Sequence, residues 1–245
     1  MSAFDWLTAR PIAHRGWHDA AAGILENTPS AFVAAIEGRY GIECDLQVTA
    51  DGEAMVHHDA MLGRLTYGEG RLSGMSTEEL KRVPFRATQD SMITLPELCE
   101  LVAGEVPLVL ELKSEFDGDR RLVTRVTSVL TEYAGPAAAM SFDPEQVQAL
   151  RELAPTIARG IVAERRTQEP DTGPMQRLAL AHLLHAHVSQ PQFVAYNVKD
   201  LPTSATRVAR SLFGCPLLAW TVRTPEDRRR AERYADQMIF EGFAP

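Results

Sequence analysis
The feature that most constrains the fold of this chain is a sustained alternation, from Arg10 to Phe240, of short apolar runs with stretches of helical periodicity. Runs at Arg10–His14, Ile42–Val48 and Val106–Lys113 come first, and Val-Pro-Leu-Val-Leu-Glu-Leu-Lys makes the third the clearest strand. Five more lie near 137–142, 157–162, 193–197, 216–222 and 237–240, separated by helical stretches near 119–132, 143–154, 174–186, 201–213 and 225–235. An early helix starts at Thr28-Pro29-Ser30, with Thr28 as N-cap and Pro29 at the first helical position, and is expected to end near Gly38 or Gly41. Eight strands alternating with helices predict an α/β fold, a (β/α)8 TIM barrel without a closing eighth helix. With 245 residues and 45% hydrophobic content, one domain covering 1–245 is expected.

One segment interrupts the alternation. The stretch 49–92, between the second strand and a helix over Leu95–Val102, is longer than an ordinary βα connection. It opens with Thr49-Ala50-Asp51-Gly52-Glu53, and Asp-Gly is a preferred centre for a type I′ hairpin turn. A two-residue turn there sets position 48 opposite 55 and 45 opposite 58. His58 is then expected beside Asp45 and His57 on the other face, an order that a bulge would reverse. The rest of 49–92 reads as a small cap within the same domain.

Alternate residues of a strand share a face, so Glu43 and Asp45 point together while Ile42, Cys44 and Leu46 face the helices. Val109, Glu111 and Lys113 likewise share one face. The two strands bring three carboxylates and an ammonium to the carboxyl end of the barrel, where such folds keep their active sites. Hard oxygen donors of this kind suit Mg²⁺ or Ca²⁺, and without a cation their repulsion raises their pKa values. An ion network paired only by Arg and Lys is the alternative.

Composition narrows the partners. A net charge of -8 argues against nucleic acid, and no basic patch offsets it. No stretch approaches the length of a membrane span, and the N-terminus lacks the pattern of a secretion signal. Three scattered cysteines, Cys44, Cys99 and Cys215, fit reduced thiols, so a cytoplasmic protein is expected. Cys44 reads as a core residue rather than a nucleophile.

Six motifs occur in order: His14-Arg15-Gly16, Glu26-Asn27-Thr28, Glu43-Cys44-Asp45, Thr49-Ala50-Asp51-Gly52, Val56-His57-His58-Asp59 and Glu111-Leu112-Lys113. This series resembles the glycerophosphodiester phosphodiesterases, densely over residues 10–116 and more thinly afterwards through Ser141-Phe142 and Trp220-Thr221-Val222. The resemblance implies a phosphodiesterase TIM barrel with one divalent cation and two catalytic histidines. By that likeness His14 and His58 carry the proton transfers, Glu43, Asp45 and Glu111 hold the metal, and Arg15 and Lys113 bind phosphate. The last strand departs from the family's Thr-Asp ending: it reads Ile239-Phe240-Glu241-Gly242-Phe243, and Glu241 is left out of the metal set.

The chemistry is consistent with that likeness. Attack on a phosphodiester adds charge to equatorial oxygens, which a metal and fixed cations stabilise, while imidazoles serve as acid and base near neutral pH. The expected substrate is a small glycerophosphodiester, such as glycerophosphocholine or glycerophosphoethanolamine, giving glycerol 3-phosphate and an alcohol. A phospholipase-D-like hydrolase of lysophospholipids, a lyase forming cyclic phosphates, and a non-catalytic scaffold are the alternatives.

Other residues carry two readings each. Trp220 is assigned to substrate contact, with core packing as the alternative. Glu26 serves either the metal surroundings or the helix dipole, and Asn27 either the active-site loop or the helix start. His182, His185 and His187 lack an accompanying carboxylate for a metal, and Arg228-Arg229-Arg230 reads as a solvated helix face. Oligomeric state, a homo-oligomer included, is left open.

Overall fold
The computed structural model describes residues 4–165 and 173–245. Helix α1 (Asp5–Thr8) precedes β1 (Ile12–Ala13), α2 (Pro29–Glu37), β2 (Gly41–Val48) and β3 (Ala54–Val56). Helices α3 (Thr77–Lys81) and α4 (Leu95–Val102) lead to β4 (Leu108–Leu112), α5 (Arg121–Glu132), β5 (Ala137–Ser141), α6 (Pro144–Leu153) and β6 (Ala158–Ala163). Then come α7 (Pro174–Ala181), α8 (Ala186–Ser189), β7 (Phe193–Asn197), α9 (Ser204–Phe213), β8 (Leu217–Val222), α10 (Pro225–Tyr234) and β9 (Gln237–Phe240). Eight of these strands, all but β3, pair in parallel, and β1 closes the ring by pairing with both β2 and β9. The expected TIM barrel is the observed fold.

Strand parity divides the core in two. Ile12, Val109, Met140, Val162, Leu218 and Ile239 fill the barrel, while Ile42, Cys44, Leu108, Leu110 and Leu112 pack between sheet and helices. Gly160 makes room inside: a Cβ there would lie 2.3 Å from the ring of Phe193. The interior is sealed in part by α1, a helix that the alternation gave no reason to expect, whose buried Leu7 joins the interior cluster.

The local differences from expectation have physical causes. Thr28 does occupy the N-cap position of α2, but its hydroxyl donates back to the Leu25 carbonyl at 2.8 Å instead of capping the helix. The helix expected near 174–186 is broken into α7 and α8, with Leu183 between them in a left-handed conformation.

The Asp51-Gly52 turn is corrected by one residue. Leu46 pairs with Val56 and Val48 with Ala54, so position 45 stands opposite 57, not 58. The loop holds three residues, Ala50, Asp51 and Gly52, closed by Gly52 N–H to the Thr49 carbonyl (3.1 Å) and Thr49 N–H to the Glu53 carbonyl (3.0 Å). Gly52 is the residue with positive φ (+81°), the pattern of a three-residue hairpin rather than type I′. Contacts from elsewhere fix this geometry: the Asp51 carboxylate accepts from Thr77 N–H at the start of α3 (3.1 Å), and Ala50 N–H donates to the Met75 carbonyl (2.8 Å). The remainder of 49–92 surrounds a small core of Leu62, Leu72, Leu80, Phe85 and Met92, joined by Leu25 and Met55.

Candidate active site
At the carboxyl end of the strands, a cavity of about 340 Å³ is lined by His14, Arg15, Glu43, His58, Glu111 and Lys113 on one side. Trp220, Phe142, Glu164, Asn197 and Arg223 line the other. The volume falls at the lower end of the range for small-molecule sites. A larger cavity of about 710 Å³ beside α1 and α9 contains no imidazole and neither carboxylate nor ammonium from the motifs.

Parallel register explains the carboxylate cluster. Asp45 pairs with Glu111 and Glu43 with Val109, so Asp45 and Glu111 stand level on the inward faces of β2 and β4, with Glu43 two residues below on the same face. One oxygen from each of Glu43, Asp45 and Glu111 lies within 4.8 Å of the others, and all three residues are buried. Among the described residues no other group of three such side chains could hold a metal, and His182, His185 and His187 do not form one. Glu43 Oε1 is buried with no hydrogen-bond partner, an orphaned oxygen of the kind that a hard divalent cation would satisfy.

Two cations sit against the three carboxylates. Lys113 Nζ lies 2.8 Å from Asp45 Oδ1 and also bonds Glu111, while Arg15 Nε lies 3.1 Å from Asp45 Oδ2. Asn27 donates to the same Asp45 oxygen at 2.8 Å, which decides between its two readings: it holds the acid. Burial opposes ionisation of Asp45, but Lys113 and Arg15 outweigh it and the pKa falls. Glu43 goes the other way. Burial first, then the charges of Asp45 and Glu111, push its pKa well above the usual carboxylate range. Lys113 loses by burial and gains more from Asp45 and Glu111, so it stays protonated.

Backbone conformation aims Arg15. Arg15 and Gly16 both have positive φ (+57° and +78°), and a Cβ on Gly16 would lie 2.8 Å from that of Ala31. The turn delivers the Arg15 N–H to Glu43 Oε2 (3.0 Å) and its guanidinium to Glu26 Oε1 (2.7 Å). Glu26 also binds Arg64 from the insertion (2.7 Å). Burial opposes its ionisation, yet the hydrogen bond from Arg64 and the charge of Arg15 lower its pKa to about 2.

The two histidines are held alike. His14 Nδ1 lies 2.8 Å from Glu241 Oε2, and His58 Nδ1 lies 2.7 Å from Asp59 Oδ1. Each carboxylate is braced by an arginine: Arg223 Nη2 is 2.7 Å from Glu241, and Arg64 Nε is 2.5 Å from Asp59. His14 Nε2 is 3.9 Å from Glu43 Oε2, so its second nitrogen faces the acid cluster. Burial lowers the pKa of His14 despite the hydrogen bond to Glu241, which favours the neutral ring.

His58 lines the cavity although the hairpin register differs from expectation. β3 ends at Val56; the His57 N–H makes a last bond to the Asp45 carbonyl (3.0 Å), and Gln47 Nε2 then grips the His58 carbonyl (2.8 Å). The chain leaves the pleat at that point, and His58 turns into the cavity. His57 does not line it: buried, it accepts the Asp59 N–H at Nδ1 (3.1 Å). That bond gives His57 a structural task in the segment carrying His58. Trp220 combines both of its readings, lining the cavity while packing edge-to-face on Phe142 with ring centroids 5.6 Å apart.

Sequence reasoning gave no role to Arg64, Asp59, Gln47 or Arg223. Asp59 had a signal, adjacency to His58; the others reach the site only through the fold.

The ordered motifs and the barrel now meet in one match. The profile of the glycerophosphoryl diester phosphodiesterase family covers residues 14–241, from the first histidine of the site to the carboxylate that binds it. The chain belongs to this family. It is 28% identical over 229 residues to a glycerophosphodiester phosphodiesterase of Caldanaerobacter subterraneus subsp. tengcongensis, covering 89% of this chain and 88% of that protein. Its fold is shared with an Oleispira antarctica phosphodiesterase solved with the product sn-glycerol-3-phosphate (TM-score 0.77, 21% identity, 96% and 94% covered). A Thermotoga maritima glycerophosphodiester phosphodiesterase is also similar (TM-score 0.71, 24% identity, 94% and 92% covered). Among the described residues, no helix is long and apolar enough to cross a membrane.

Proposed function
We propose that this family member hydrolyses small glycerophosphodiesters to glycerol 3-phosphate and an alcohol, using one divalent cation and the pair His14 and His58. The observation that carries the reading is the buried set Glu43, Asp45 and Glu111, one oxygen of it orphaned, flanked by two imidazoles that each have Nδ1 tied to a carboxylate. These three acids would hold Mg²⁺ or Ca²⁺; when bound, such an ion supplies Lewis-acid stabilisation of charge building on phosphoryl oxygens.

The protein's own groups do the rest. An ionised carboxylate only accepts hydrogen bonds, so Nδ1 of each histidine carries the proton and Nε2 becomes the atom that takes or gives one. His14, just after β1, and His58, just after the hairpin, reach the cavity from different elements, as removal of a proton from the nucleophile and protonation of the leaving alkoxide require. Arg15 and Lys113 border the cavity as the fixed positive charges for a phosphodiester anion, and Trp220 with Phe142 offers an apolar wall to its organic portion.

The test is release of glycerol 3-phosphate from glycerophosphocholine and glycerophosphoethanolamine, with lysophosphatidylcholine as the competing substrate. Activity should require Mg²⁺ or Ca²⁺, disappear with EDTA and fall by at least about 1,000-fold in His14→Ala, leaving a small residual rate. Undiminished turnover both in EDTA and in His14→Ala would refute the mechanism.

A further inference from the structure
Glu241 and Arg223 stand outside the three-carboxylate cluster, yet the barrel seam fixes both beside His14. The His14 N–H donates to the Phe240 carbonyl (2.9 Å), and the Glu241 N–H donates to the Val222 carbonyl (3.0 Å). Glu241 is therefore anchored by backbone one step beyond the Ala13–Phe240 pair, next to His14 across the point where the barrel closes. Arg223 follows Val222 at the end of β8. Its Nη2 and His14 Nδ1 approach the same oxygen of Glu241, at 2.7 and 2.8 Å.

We propose that Glu241 is a positioning residue for His14 and that Arg223 is its brace, together fixing the ring so that Nε2 faces the substrate. The proposal rests on the phosphodiesterase reading and deepens it. A neutral imidazole has one N–H and one lone pair, and a carboxylate at Nδ1 selects the form whose lone pair is on Nε2. That nitrogen already faces Glu43 at 3.9 Å. Arg223 matters because its hydrogen bond and charge help to keep the partly buried Glu241 carboxylate ionised; a protonated carboxyl group could donate and spoil the selection. A role for Glu241 as a further metal ligand is the competing account, and Glu241 is not part of the carboxylate group whose oxygens lie close enough together to share an ion.

Glu241→Met keeps side-chain length and removes the acceptor; Glu241→Gln keeps an acceptor oxygen and removes the charge. We expect Glu241→Met to lower kcat by about 100-fold with KM changed less than about threefold, and Glu241→Gln to recover most of that loss. In a His14→Ala background Glu241→Met should cost nothing further, because its effect passes through the ring. Calorimetric Mg²⁺ affinity should be unchanged. ¹⁵N NMR of the resting protein should show His14 protonated at Nδ1 and should lose that preference in Glu241→Met. Should Glu241→Met fail to fold, Arg223→Gln, at an arginine whose side chain is half exposed, should weaken the same preference and lower kcat in the same direction.

A fall in Mg²⁺ affinity, a loss confined to KM, an additive loss with His14→Ala, or an unchanged tautomer in the variant would overturn the proposal. A parent protein that releases no glycerol 3-phosphate would defeat the phosphodiesterase reading instead, and the tautomer comparison would still judge Glu241.

Discussion
Replacing Glu43 by Gln should change the pH dependence of stability of the metal-free protein. Three carboxylates face two cations, Arg15 and Lys113, so one negative charge is left over within the cluster. Two carboxylates at the 4.8 Å limit of that cluster repel by about 3.5 kcal/mol for an effective dielectric of about 20. Each proton held to a pKa one unit higher represents about 1.4 kcal/mol, so repulsion of that size is enough to keep Glu43 protonated well beyond the ordinary carboxylate range. Its pKa is raised, by burial first and by Asp45 and Glu111 next. The native state therefore holds this proton more tightly than the unfolded chain does. The associated stability is fully present below the unfolded carboxyl pKa and is lost as pH climbs through the raised value, with a limiting slope of about 1.4 kcal/mol per pH unit. Urea denaturation in EDTA across pH 5 to 9 measures that slope. Glu43→Gln cannot ionise and should remove it, and Mg²⁺ should remove it from the parent protein by replacing the proton. Parallel pH profiles for parent and variant would refute the charge count.

Lys113→Met should destabilise the metal-free protein by about 3 kcal/mol in urea denaturation, at the lower end for a broken buried pair because Arg15 and Asn27 still hold Asp45; added Mg²⁺ should recover part of the loss. Gly16→Ala should lower stability by about 1–3 kcal/mol, since it combines a left-handed φ with a 2.8 Å approach to Ala31, and an unchanged Tm would contradict this. His58→Ala should reduce kcat by about 100-fold or more with little effect on Tm. His57→Ala should instead cost about 1–3 kcal/mol of stability by leaving the Asp59 N–H unpaired; a larger kcat loss in His57→Ala than in His58→Ala would reverse their assignment.

Much of this site was legible in the sequence because its inner part is local. Glu43 with Asp45, and Glu111 with Lys113, need only the two-residue period of a strand to share a face, and parallel register sets Asp45 opposite Glu111 so that the two pairs overlap by one step. His58 is a different case. It reaches the cavity as expected, but not by the expected route: the hairpin is one residue longer in its loop, and the exit of the chain from the pleat after Val56 turns the ring inward. Turn preference alone did not set that register, because Asp51 and Ala50 are bound to residues of the insertion that the turn motif does not contain.

The sequence by itself determined the alternation of strands and helices, the faces on which the acids lie, and the hard-oxygen character of the cluster. These follow from backbone periodicity and side-chain chemistry, which act over a few residues. Only the tertiary structure decided what holds His14 and what braces Asp59 beside His58. Glu241 lies 227 residues from His14 and meets it because the barrel closes last strand on first. Arg64 joins Asp59 to Glu26 because the core of the insertion packs with Leu25, next to Glu26 in the chain. Such contacts carry no periodic trace: these charged side chains pair where closure of the barrel and docking of the insertion bring them within reach, and that neighbourhood exists only once the whole chain has folded.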